Sequence, residues 1–250
     1  MSTHVQPVAS GATNGATAEL SEWRGHARVF LQPIAAPSIL GLYGFAAATF
    51  MVTAHLVGWY GKATSPALIF PFATAAGGIA QGAAALWAYR ARDGLATAIH
   101  GIWAAFWLGY GTLNLMIVLK AIPAPAPHAA VPELGYWFFA LAAITLAGAF
   151  ASLGESLAIT SVLAPLAVGA ALLGVFYTVG GIGWEKVAGY VTMASAFTAF
   201  YTATAMMLAS TWQRAVLPLG NYNQQDKIPG QRATYPIQFE LGEPGVKQGQ

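Results

Sequence analysis

The chain has 250 residues, 56% hydrophobic and 8% charged, with a formal net charge of +2 and no cysteine. An ordinary soluble domain carries roughly 25% charged residues, so this much apolar surface has to be covered by lipid. The small net charge gives no reason to expect nucleic acid, and the absence of thiols excludes disulfides and cysteine metal sites.

Residues 1–33 read as a polar N-terminal segment rich in Ser, Ala, Gly and Thr, without the apolar run of a cleavable signal peptide. The first span is therefore expected to serve as its own insertion signal. Just before it, SEWRGHARVF has the pattern of a short amphipathic helix on the membrane surface, or of a solvated linker.

About 20 apolar residues cross a hydrocarbon core as a helix. Hydropathy predicts six such spans inside a transmembrane domain at 34–212: 38–60, 66–89, 95–119, 134–153, 157–180 and 186–210. The breaks carry turn signals: GKATSP, RARDG, the proline-rich AIPAPAPHAAVPE, GES and GGIGWEK. The expected fold class is all-α, a polytopic membrane protein with six transmembrane helices. LGLYGF at 40–45 and LGYWFF at 134–139 hint at three-plus-three inverted halves, although two apolar helix starts also match by chance. With the N-terminus inside, Arg24, Arg28, Arg90, Arg92 and Arg214 are cytoplasmic, and only Lys62, Lys120 and Lys186 lie outside. Both termini are then cytoplasmic. The C-terminal tail, 213–250, turns polar and rich in Gly, Pro and Gln beyond about 220, a composition suited to disorder or docking.

With no buried charge to announce a site, uncharged polar, small and aromatic residues have to locate a path. In the first span Gly41, Phe45, Ala48, Val52, His55 and Trp59 recur at spacings of four and three, one stripe of a helix. Gly44 and Ala47 suit a close helix contact on the neighbouring stripe. The second span offers Gly78 and Gly82 as a G-x-x-x-G pair, with Gln81 between them. The third offers His100, Trp103, Trp107, Tyr110 and Asn114 as a further stripe. Intramembrane polar groups tend to face a bundle interior or a wet cavity, which makes His55, Gln81 and Asn114 candidates for the lining; hydrogen-bonding between helices is the alternative. Glu155, in the turn before the fifth span, is expected to cap a helix start. There is no G-x-S-x-G, H-E-x-x-H or phosphate loop, and the five histidines are scattered, so no enzyme, cofactor or metal site is expected.

Several pieces together resemble one family. Ala36-Pro37-Ser38-Ile39-Leu40-Gly41-Leu42, followed by Gly44-Phe45, is similar to a signature Asn-Pro-Ala-Pro-Leu-Gly-Leu followed by Gly-Phe. His55, Gly77-Gly78-Ile79-Ala80-Gln81, Phe106-Trp107-Leu108 and Arg214-Ala215-Val216-Leu217-Pro218-Leu219-Gly220 add to it. From about 33 to 220 the chain resembles the acetate uptake transporters, or acetate/succinate permeases, six-helix proteins of the inner membrane. The resemblance implies a homo-oligomer, a hexamer with one path per protomer, and a small carboxylate such as acetate as the solute. It implies an apolar constriction of Phe45, Trp103 and Leu166, with Ala199 where the family tunes substrate size. Pro37, Leu40, Gly41 and Leu42 would form the entrance, with His55 and Gln81 as further lining. The chain departs from the pattern at Ala36 (Asn), Ile39 (Pro), Trp103 (Tyr) and Ala88 (Glu).

A small carboxylic acid has a pKa of about 4, so only about one molecule in a thousand is neutral at pH 7. A path must admit the anion or carry a proton with it. The expected mechanism is channel-like, with a hydrophobic constriction that gates hydration. Proton coupling through His55 is the secondary mechanism. Two rival functions are a channel for a neutral solute (urea, a short amide or ammonia) and a non-transporting sensor or subunit that docks a partner through its tail.

Overall fold

The computed structural model describes residues 35–62 and 64–222. The expectations for the N-terminal segment, for SEWRGHARVF and for the tail beyond 222 lie outside the described residues.

Six helices are long and apolar enough to cross a membrane: α1 Pro37–Leu56, α2 Ser65–Ala91, α3 Gly94–Val118, α4 Pro132–Ser152, α5 Leu157–Val179 and α6 Ile182–Trp212. Each packs on its neighbours in sequence, and α1 packs on α6, so the six close into a ring. Small residues allow the close approaches such packing needs in lipid. Gly44 of α1 sits directly against the backbone carbonyl of Ala76 in α2, where a Cβ would collide. The same holds for Gly174 of α5, at whose Cβ position the ring of Phe139 already lies within 2.6 Å.

Three local features shape the interior. First, α1 stops at Leu56, short of the expected 60. Gly58 adopts φ +83°, and Trp59 N–H bonds Ala54 O while Gly58 N–H bonds His55 O. That pairing is the Schellman ending, which glycine alone enters without steric penalty. Second, α2 is not a continuous α-helix: Ser65–Ala73 and Gln81–Ala91 are α-helical, but Thr74–Ala80 is a π-helix. Pro71 lacks an N–H, and the wide turn follows it. One extra residue in a turn rotates everything after it by about 100°. Third, the second helix of the other triplet, α5, also contains a proline, Pro165.

The helix starts explain the turns. Asp93 caps α3 by accepting from Ala96 N–H at 2.8 Å. Ser156, not Glu155, caps α5, accepting from Ile159 N–H at 3.3 Å. Ala36 stands at the N-cap of α1 with no side-chain cap; an Asn there would supply one. After α6, the chain folds back on the start of α5. Leu157 N–H bonds Gly220 O at 2.8 Å, Ala158 N–H bonds Leu219 O at 3.0 Å, and Tyr201 donates to Pro218 O at 2.7 Å. The first ten residues of the tail region are thus an ordered strap. At the opposite end, Val131 N–H bonds Tyr177 O at 2.6 Å and His128 pairs with Glu185, which closes the proline-rich loop over α5 and α6.

Candidate functional site

α1 and α3 descend side by side, and their inward residues meet level by level. At the first level the His100 ring lies against Gly41; a Cβ there would come within 2.5 Å of the imidazole. Gln81, turned inward just after the π segment, lies 3.3 Å from His100 through its amide nitrogen and ring Nδ1. Both side chains are buried, and the second atom of the amide, Oε1, has no partner among the described residues. Phe45 and Trp103 follow four and three residues on, about 6 and 4.5 Å further down their helices. Their rings meet edge to face at 6.0 Å. Trp103 is held by its indole N–H, which donates to Thr145 Oγ1 of α4 at 3.0 Å; that hydroxyl donates in turn to Leu141 O.

Below this pair lies a cavity of roughly 30 Å³, counted as space open to the centre of a water molecule. α1 contributes Thr49, Val52, Thr53 and Leu56 to its wall; α3 contributes Trp103, Phe106, Trp107 and Tyr110. Phe138, Leu173, Tyr177 and Thr192 complete it from α4, α5 and α6. Phe106 is the hub of the aromatic wall, stacked on Tyr110 at 5.3 Å and in contact with Trp103, Trp107 and Phe138. At the far end the hydroxyls of Tyr110 and Tyr177 share a hydrogen bond of 2.7 Å. Among the described residues, no Asp, Glu, Lys or Arg lines the cavity.

The residues singled out in the sequence divide sharply. Phe45, Trp103 and Leu166 are buried in one core cluster with Leu42 and Ala199, and Gln81 and Gly41 lie at the level above. Pro37 opens α1 at its first position. Leu40 points outward and is 49% exposed, so it is not part of the interior. His55 leaves the stripe as well. Because α1 ends one residue later, its Nδ1 bonds Tyr60 O at 3.2 Å in the exit turn, outside the cavity. Trp59 is beyond the helix and 56% exposed. Asn114 donates to Tyr110 O of its own helix at 2.8 Å. The imidazole inside the bundle is therefore His100, which the third-span stripe contained but which was not chosen as a lining residue. Its position three residues before Trp103 on that stripe was the available signal.

A ring of six membrane-length helices around an uncharged, aromatic cavity within one chain defines a membrane transport protein. The chain belongs to the GPR1/FUN34/yaaH family, whose model matches residues 22–220. It is 28% identical over 187 residues to the succinate-acetate/proton symporter SatP of Escherichia coli (strain K12), which covers 75% of this chain and 96% of that protein. The match to the SatP of Shigella flexneri has the same identity and coverage. Among solved structures, that of the bacterial acetate channel SatP superposes with a TM-score of 0.68 at 28% identity, over 75% of this chain and 100% of that one.

Proposed function

We propose that this protein moves short carboxylates, acetate foremost and succinate with it, through a path inside each protomer. The observation that carries the reading is the cavity: uncharged among the described residues, walled by aromatic rings and bounded on one side by Trp103, whose ring meets Phe45 edge to face. Charge-free walls suit an anion that is held by neutral donors and passed on, since a buried cation would bind it too firmly to let it leave. Phe45, Trp103 and Leu166 form the constriction, and Ala199 sets the width beside it. Gln81 with His100 is the polar station on the α1-start side. The names of the relatives support acetate and succinate as the substrates.

The protein sits in the cell's inner membrane with both termini cytoplasmic. Arg90 in the last turn of α2, Arg92 just after it and Arg214 after α6 lie at one end of the bundle, which supports this orientation. The resemblance to acetate/succinate permeases supports a hexamer. The test is labelled acetate and succinate flux in proteoliposomes for wild type, Trp103→Tyr and Leu166→Ala. The constriction predicts an altered rate or an altered acetate-to-succinate ratio in each variant; no change in either would refute it.

A further inference from the structure

The loop between α3 and α4 is fastened to the turn between α5 and α6. Only Gly180 and Gly181 separate those two helices, and both take a positive φ, +75° and +101°. Gly181 N–H donates to His128 O at 2.9 Å, and a Cβ on Gly180 would lie 2.9 Å from the same carbonyl. Three residues on, Val131 N–H donates to Tyr177 O at 2.6 Å. The His128 side chain reaches across to the Glu185 carboxylate in the first turn of α6. While making both contacts His128 holds a left-handed backbone, φ +58°, which residues other than glycine seldom occupy. Such an outlier persists only where its surroundings hold it, and outliers of this kind gather at clamps and switches.

The loop is tied to one end of the cavity. Tyr177, whose carbonyl receives Val131 N–H, lines that cavity, and its hydroxyl shares the 2.7 Å bond with Tyr110 of α3. Aromatic packing sets both rings: Tyr110 meets Phe70 edge-on at 4.9 Å, and Tyr177 stacks on Phe138 at 5.4 Å. Glu185 is near enough to both phenols to act on them electrostatically. The other charged groups at this end are Lys120 after α3, Glu133 in the first turn of α4 and Lys186 beside Glu185. Among the described residues, only Glu185 forms an ion pair with His128. We propose that the His128–Glu185 pair is the latch of a second gate: it holds the loop on the α5–α6 turn, and the held loop keeps the Tyr110 and Tyr177 hydroxyls together across the end of the cavity opposite the Phe45–Trp103 constriction. With their rings wedged, the hydroxyls part when the end of α5 shifts, and the loop ties down that end. This gate is polar where the first is apolar, so it opens by exchanging one phenol–phenol bond for bonds to water. It goes beyond the carboxylate reading, because a latched end governs any solute.

The chain has no cysteine, so a single introduced one reports the gate without background. The test combines amide hydrogen exchange of the loop with the rate at which a small thiol reagent modifies Thr53→Cys, a cavity-wall position, in the full chain in nanodiscs. Glu185→Gln keeps the shape and removes the charge, while His128→Gly removes the ring and favours the left-handed backbone. The His128 side chain is 45% exposed, so the latch has the strength of a partly solvated ion pair. Each substitution should therefore speed both the exchange of the Val131 and Gly181 amides and the thiol modification by about two- to fivefold. Tyr110→Phe should speed modification while loop exchange stays at the wild-type rate. Wild-type loop exchange in both Glu185→Gln and His128→Gly would overturn the latch. Faster exchange with unchanged modification would overturn its link to the gate, and unchanged modification in Tyr110→Phe would overturn the gate itself. Neither measurement uses acetate, so both decide the proposal whatever the solute, whereas a failure of the carboxylate reading shows only in uptake.

Discussion

Thr145 offers the most direct test of how the constriction is held. It is fully buried, and its hydroxyl accepts the Trp103 indole N–H at 3.0 Å. Thr145→Val keeps the shape but leaves that buried N–H without its side-chain partner. Such a loss costs about 1–3 kcal/mol. In a Trp103→Phe background the donor is already gone, and the same valine substitution should cost only a few tenths of a kcal/mol, about the level at which independent sites add. The coupling between the two positions is thus expected to be about 1–2 kcal/mol, about five- to thirtyfold in an unfolding equilibrium constant. Unfolding in mixed micelles with increasing dodecyl sulfate, followed by circular dichroism, measures all four proteins of the cycle. Acetate flux on the same four should show the single Thr145→Val variant altered, because the Trp103 ring loses its tether. Equal stability losses in both backgrounds would sink the claim that α4 holds the constriction through this bond.

Other outcomes follow from the same packing. Leu166→Ala removes a side chain that is 1% exposed and should cost about 2–5 kcal/mol, while the wider constriction raises succinate flux relative to acetate; micelle unfolding and dual-label uptake read the two effects. His55→Ala should leave acetate flux within about twofold of wild type, since the ring bonds Tyr60 O in the exit turn; a tenfold loss would return His55 to the pathway. Gly41→Ala places a Cβ within 2.5 Å of the His100 ring and should cost about 1–3 kcal/mol, relieved in a His100→Ala background. Truncation after Tyr222 should preserve uptake and stability, whereas truncation after Gln213 removes the strap on α5 and lowers the unfolding midpoint.

The six helices were legible because lipid enforces them: a chain with 8% charged residues has few ways to hide its backbone, and charges mark the turns. That Phe45, Trp103 and Gln81 are buried inside the bundle was legible from helical spacing, from the polarity of Gln81 at membrane depth and from the resemblance. The ending of α1 was misjudged because hydropathy runs on through Trp59 and Tyr60, while Gly58 in a left-handed conformation stops the helix. That single turn moves His55 out of the interior. The π segment was hidden because a wide turn has no hydropathy signature, and without it nothing pairs Gln81 with His100.

The central claim is that the bundle admits a carboxylate rather than a neutral solute. Proteoliposomes holding the wild-type protein should take up labelled acetate saturably, well above empty vesicles, and should not swell faster than those vesicles in urea. Rapid swelling in urea with acetate uptake at the level of empty vesicles would contradict the account.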